Sequence, residues 1–214
     1  FEKDLSNYFK SKYATVVSSG TAALHLAGRI LNWKRSDIII SSPLTFVAST
    51  NSVLYNNATP DFVDIDPKTF TIDPNKLEDK IKLLKRKNKI LKTVIATDYA
   101  GHPCDWESIN YLSNKYNFTT INDNCHALGS KYKKNIGYAV KYSDLVTHSY
   151  HPAKNFTTGE GGAILTNSKL FNDKAKLLRS HGLVRSKNKQ WIYEMKDLGY
   201  NYRITDFQCA LGSS

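Results

Sequence analysis

The sequence predicts an α/β protein, a three-layer α/β/α sandwich with a mostly parallel sheet. Short apolar runs rich in Val, Ile and Thr alternate with stretches whose apolar residues recur at helical spacing. The loops between them are short, and no internal repeat or low-complexity segment breaks the alternation. At 214 residues the chain can bury a sizeable core, and 41% hydrophobic with 12% aromatic content excludes a disordered or collagen-like class.

In chain order, Phe1, Leu5, Tyr8 and Phe9 fall at helical spacing and predict an opening helix packed by one face. Ala14–Val17 reads as a short buried strand. Ser18-Ser19-Gly20-Thr21 then leads into a helix begun by Ala22–Ala27. Small and hydroxyl residues at a helix entry leave backbone N–H groups facing outward at the positive end of the dipole, a seat for phosphate. An N-cap serine with no ligand is the plainer reading of that stretch alone. Asp37–Pro43 is a strand ended by its proline, and Asp61–Ile65 is a strand introduced by Ala58-Thr59-Pro60. Asp73-Pro74 signals a capped helix with Leu77, Ile81 and Leu84 on its inner face and lysines opposite. Thr93–Thr97 is a strand, and Asp105 caps a helix turning Trp106, Ile109 and Leu112 inward. Phe118–Asn122 is a strand with Asp123 at its C-terminal edge, and the run from Leu145 to Tyr150 is the next. Leu170–Leu178 forms a helix, and Thr205-Asp206-Phe207-Gln208 is a capping box opening another.

Thirty basic against nineteen acidic side chains give +11, a charge that suits a polyanionic partner. The lysines are spread, however, and the densest run, Lys80 to Lys92, reads as the wet face of a helix; no motif supports nucleic-acid binding. Cys104, Cys125 and Cys209 are odd in number and widely spaced, which argues against a disulfide framework or zinc site and for a reducing, cytoplasmic setting. No signal peptide and no membrane-length apolar run is present. The chain begins at Phe1 without an initiator Met and stops inside a helical pattern at Ser214, so we expect a fragment.

The chemistry concentrates in Ser149–Gly162. Lys154 follows a short apolar run and Pro152, and precedes the Thr157–Gly162 turn and the apolar run Ala163-Ile164-Leu165. It is expected at the end of a strand, under the sheet edge and buried among apolar neighbours, where an ammonium is desolvated and the free amine becomes a nucleophile, the setting of a Schiff-base lysine. An ordinary surface lysine in a turn is the bland alternative. Ligands of parallel sheets bind beyond the strands' carboxyl ends; Asp123, Ser149, Lys154 and the Gly20-Thr21 turn all fall there.

Five motifs in order cover nearly all of the chain: Ser18–Leu24, Thr45–Ala48, Asp123–Gly129, Ser149–Gly162 and Leu198–Asp206. In this order and spacing they resemble those of the DegT/StrS-type nucleotide-sugar aminotransferases, pyridoxal 5'-phosphate (PLP) enzymes of fold type I. Ala100–Asp105, His151–Lys154 and Trp191–Met195 look most like the pseudaminic-acid branch, which aminates C4 of a UDP-linked 4-keto-6-deoxy-hexosamine. The resemblance implies that residues 1–214 are the PLP-binding large domain, lacking an N-terminal segment and a small C-terminal domain. By the same resemblance Lys154 would capture the cofactor's aldehyde and shuttle a proton, and Asp123 would keep the pyridine nitrogen protonated. His126 would touch the phenolic oxygen, and Phe46 would stack on the ring. Gly20, Thr21 and Ser149 would receive the phosphate. Asn201 and Arg203 would belong to a loop lent to a neighbouring subunit, implying a homodimer with shared sites, with a UDP-sugar and an amino-acid donor, L-glutamate, as substrates. Family dehydratases carry histidine at the lysine position, so Lys154 favours transamination. Asn122 stands where the family has an acid, and Asn124 and Cys125 where it has small residues. The rival expectation is a truncated chain that keeps fold and dimer interface without turnover.

Overall fold

A computed structural model of the chain describes residues 1–185 and 192–214. In chain order the elements are α1 (Glu2–Phe9), β1 (Tyr13–Val17), α2 (Gly20–Ile30), β2 (Ile38–Ser41), α3 (Ala48–Tyr55), β3 (Thr59–Phe62), α4 (Pro74–Arg86), β4 (Leu91–Thr97), α5 (Trp106–Tyr116) and β5 (Thr119–Asp123). They continue with α6 (Tyr138–Tyr142), β6 (Leu145–Ser149), β7 (Gly162–Thr166), α7 (Lys169–Arg179), β8 (Leu183–Arg185), β9 (Tyr193–Met195) and α8 (Asp206–Ser213). Seven strands form one sheet in the order β1-β7-β6-β5-β4-β2-β3. Neighbours from β6 across to β3 are parallel, whereas β7 runs antiparallel to both β6 and β1. The expected mostly parallel sheet is therefore present, and β8 and β9 make a separate antiparallel pair.

Strand alternation divides the apolar side chains between two cores. Ile38 and Ile40, Val94 and Ala96, Val146, and Ala163 and Leu165 point to one face, where α1, α4, α5 and α6 pack. Ile39, Ile95, Leu145 and Ile164 point to the other, under α2, α3 and α7. A sheet buried on both sides needs helices on both sides, which is the third layer.

The helix starts follow their caps. Asp73 accepts from the Asn75 and Lys76 N–H groups with Pro74 in the first turn, Asp105 accepts from the Ser108 N–H, and Thr205 and Gln208 complete a capping box. Three expectations need correction. Tyr8, assigned to the packed face of the first helix, is 56% exposed, while Leu5 and Phe9 alone of α1 are buried. The predicted strand at Asp61–Ile65 lies earlier, at Thr59–Phe62, and includes Pro60. β3 is an edge strand with β2 as its one partner, so a residue without an N–H is tolerated there. The lysine run outlasts its helix: α4 ends at Arg86, and Lys92 lies in β4. Of the Trp191–Met195 motif, Trp191 lies outside the described residues.

One buried group gives the fold a pH dependence. His148, in β6, is wholly buried, with Nδ1 3.3 Å from the Tyr150 hydroxyl and its ring edge-on to Phe9. Burial pushes it from the ordinary 6.5 down to about 3. A folded-state value below the unfolded one means that the stabilising contribution is complete above pH 6.5 and is lost as the pH falls towards 3. Between pH 7 and 5 this group alone should lower the unfolding free energy by about 2 kcal/mol. His148→Phe should remove that share, read as a smaller shift of the urea midpoint between the two pH values; an equal shift in variant and wild type would assign the acid sensitivity elsewhere.

Candidate active site

Because β2, β4, β5 and β6 are parallel, their carboxyl ends open on one side of the sheet. There a cavity of about 490 Å³ is lined by Ser19, Gly20 and Thr21 from the start of α2, by Thr45 and Phe46 ahead of α3, and by Asp123, Cys125, His126, Ser149 and Lys154. Seven of the nine residues singled out in the sequence thus meet at one cavity. A second cavity of about 450 Å³, between α1 and residues Leu128, Gly129, Asn155 and Phe156, is mainly apolar and holds no lysine or histidine. We place the chemistry in the first.

Asp123 is the last residue of β5 and is 3% exposed. Its Oδ2 accepts from the Ser49 hydroxyl at 2.6 Å, and its Oδ1 from the Cys125 N–H at 3.3 Å. Behind Ser49, the Thr45 hydroxyl bridges to Ser49 (3.1 Å) and to Thr97 (3.0 Å). Among the described residues no lysine or arginine forms an ion pair with Asp123. A carboxylate buried on neutral donors alone is costly, and a cationic nitrogen placed in the cavity would relieve it.

Lys154 sits on the connection between β6 and β7, its backbone N–H donating to the His151 carbonyl at 2.9 Å. The expected deep burial among apolar groups is not what the structure shows: Lys154 is half-buried, and Pro152, Ala153 and Asn155 around it are exposed. The reason is topological. β7 returns antiparallel beside β6, so the connection projects beyond the sheet edge, where Asn155 ties it to the Leu128 carbonyl at 2.8 Å. Among the described residues the Lys154 amine has no acidic partner. His126, half-buried, is pushed below its ordinary value first by burial and then by the Lys154 charge, with Asp123 opposing. Burial and then the charge of Asp123 push the Cys125 thiol well up, and Lys154 pulls it back. Amine and acid are therefore felt by the same two residues, across the same space.

The start of α2 closes a third side. Ser19 is the N-cap, its Oγ accepting from the Ala22 N–H at 3.0 Å, while the first-turn N–H groups at Gly20 and Thr21 have no intrahelical acceptor. Gly20 lies so close to β6 that a Cβ there would stand 2.6 Å from the Ser149 Cβ; only glycine lets the helix end and the Ser149 hydroxyl share one spot. Such an end binds anions. Phe46 is 64% exposed at the cavity, which excludes the core role otherwise open to it.

Asn201 and Arg203 are not brought to this cavity. Both are exposed; Asn201 bridges to Ser180, and Arg203 lies beside Phe1, Glu2 and Arg179. Tyr202 between them anchors the segment, its hydroxyl 2.9 Å from His25 Nδ1 and its carbonyl accepting from the Ser18 N–H. Sequence reasoning missed Ser49, which sits inside a helix and carried no signal, and it missed His151 and Glu160, which line the cavity within a motif already marked. It also missed Asp98, although an acid ending a parallel strand is the signal that found Asp123.

The description of the DegT/DnrJ/EryC1/StrS aminotransferase family matches residues 1–214. The chain is 43% identical over 213 residues to the UDP-4-amino-4,6-dideoxy-N-acetyl-beta-L-altrosamine transaminase of Campylobacter jejuni subsp. jejuni serotype O:23/36, covering 99% of this chain and 54% of that protein. Helicobacter pylori PseC, an aminotransferase involved in the biosynthesis of pseudoaminic acid, superposes with a TM-score of 0.88 at 33% identity, over 99% of this chain and 55% of its own. NtdA from Bacillus subtilis, solved with bound cofactor PMP, superposes with a TM-score of 0.84 at 32% identity, over 99% and 45%. The chain spans about half the length of the curated relatives it matches. With the match running from the first residue to the last, and the α/β fold shared with solved aminotransferases, the chain belongs to the DegT/DnrJ/EryC1/StrS aminotransferase family.

Proposed function

We propose that this chain is the cofactor-holding large domain of a PLP-dependent aminotransferase. It would transfer an amino group from an amino acid, L-glutamate, to the C4 keto group of a UDP-linked 4-keto-6-deoxy sugar during the synthesis of bacterial surface glycans in the cytoplasm. The observation that carries this reading is the pairing, across one cavity of about 490 Å³, of a buried carboxylate lacking a cation with an amine lacking an acid. The cavity is of small-ligand size. Its residues fit PLP: an acid for the ring nitrogen, an amine for the aldehyde, a helix N-terminus for the phosphate.

When bound, PLP supplies an aldehyde that captures amines and a protonated ring that draws electrons from the adjacent carbon. The protein's part is to hold and to move protons. Asp123 keeps the ring nitrogen protonated, and Ser49 and the Cys125 N–H keep Asp123 aimed. Lys154 would hold the cofactor by its aldehyde and supply the amine that moves a proton at the donor's α-carbon. Gly20, Thr21 and Ser149 would hold the phosphate, Phe46 would cover a ring face, and His126, pushed below its ordinary value by burial and by the Lys154 charge, would meet the phenolic oxygen. Asn201 and Arg203 are exposed and do not line this chain's own cavity, which supports their service to a second copy in a homodimer. The specific sugar rests on the likeness to the Campylobacter jejuni transaminase.

The rival is a chain that keeps the fold without turnover. Adding L-glutamate to the PLP-loaded protein should convert the bound cofactor to its pyridoxamine form, seen in the absorption spectrum; a spectrum unchanged by any amino acid would favour the inert chain. Borohydride should fix PLP covalently to the wild type at Lys154 and leave Lys154→Ala unlabelled by mass spectrometry, and labelling of the variant would exclude Lys154 as the attachment point. Gly20→Ala drives a methyl into Ser149. It should weaken PLP binding roughly tenfold, the loss of one charge-assisted hydrogen bond of about 1.5 kcal/mol, while pyridoxal without phosphate binds both forms alike.

A further inference from the structure

A second carboxylate is buried behind Asp123. Asp98 follows β4 and is fully excluded from solvent, with no lysine or arginine paired to it among the described residues. Five neutral donors satisfy it. Oδ1 accepts from the Cys104 N–H (2.8 Å) and Trp106 Nε1 (2.9 Å); Oδ2 accepts from Nδ2 of Asn122 and of Asn124 (3.0 Å each) and from the Tyr138 hydroxyl (2.6 Å). Burial pushes this carboxyl up, and the hydrogen bonds, Tyr138 foremost, hold it back. A buried acid with so many donors cannot release them cheaply, which makes it a rigid anchor.

Two of the five donors flank Asp123 in sequence. Strand alternation turns residues 122 and 124 to one face of β5 and residue 123 to the other, where the cavity lies. Among the described residues neither asparagine has a competing side-chain anchor outside this cluster: Asn122 Oδ1 is buried without a partner there, and the Asn124 amide is shared between Asp98 and Tyr138. The Asp98 backbone N–H also donates to the Asp123 carbonyl at 3.2 Å. One residue thus grips three consecutive residues at the end of β5, two by their side chains and one by its backbone.

We propose that Asp98 is a positioning residue for the active site: by holding Asn122 and Asn124 from behind, it sets the rotation of the β5 end and hence the direction in which Asp123 presents its carboxylate to the cavity. This rests on the reading of Asp123 as the partner of the PLP ring nitrogen. Anchoring of this kind acts through Asp123, whereas a purely structural role would not depend on what residue 123 is.

The test is a double-mutant cycle with two readouts, PLP affinity from the absorbance of the bound cofactor and the urea midpoint of the cofactor-free protein. Asp98→Asn keeps the shape but puts an NH₂ group among converging donors. We expect it to weaken PLP binding about tenfold or more, as loss of a supporting shell does, and to add nothing in the Asp123→Asn background. Asp144→Asn is the control: its Oδ2 receives the Thr120 N–H at 2.8 Å at the opposite end of β5, so its loss should lower the urea midpoint and leave PLP affinity alone. Where Asp98→Asn does not fold, Asn124→Ala and Tyr138→Phe carry the same comparison. Multiplicative losses in the double variant, or an unchanged affinity in Asp98→Asn while Asp123→Asn is impaired, would overturn this inference alone. A wild type that binds no PLP would overturn the reading of the cavity and this inference with it.

Discussion

Everything at the sheet's open end depends on how the fold keeps carboxyl groups where water cannot reach. Asp98 follows β4 and Asp123 ends the neighbouring β5, both nearly or wholly buried, and neither is paired with a cation among the described residues. The cost of desolvating them is met by neutral donors. For Asp98 all available donors are inward and the account is closed. For Asp123 it is left open on the cavity side, with one short bond from Ser49 and one long one from the Cys125 N–H. That difference separates an acid whose donors are all in place from one left open to the cavity, although the two look alike in the sequence.

The connection that carries Lys154 follows from a single reversal of strand direction. Were β7 parallel to β6, a helical crossover would be needed between them. Because it is antiparallel, a connection without a helix suffices, and residues His151, Ala153, Lys154 and Glu160 of that connection line the cavity together with Asp123 and Ser149. The amine reaches the cavity from above rather than from within the core.

Most of the fold was legible because local signals agreed with each other. The capping residues Asp73, Asp105 and Thr205 mark helix starts within a residue, and runs such as Asp37–Ser41 and Thr93–Thr97 are apolar on both faces because both faces are covered. The misses share a cause. Tyr8, the true bounds of β3 and the exposure of Lys154 are decided by neighbours distant in the chain, to which spacing is blind. In the site, residues at strand ends and at the start of α2 carried a signal and Ser49 did not: it looks like any other helix serine until its hydroxyl is seen to reach Asp123. Asn122 and Asn124 were noted only as unusual letters. Their sense appears once Asp98, some two dozen positions earlier, is seen facing both.

The pairing of β1 with β7 joins Tyr13 to Thr166, and Gly162 passes so near Ser19 that a methyl there would strike its carbonyl. The seat of α2's first turn is therefore unfinished until the ribosome has delivered the seventh strand. During synthesis the start of α2 has no wall opposite it until then, and a strand rich in valine waits at an open edge for its partner. Closing a loop of that span is slow compared with forming the local helices.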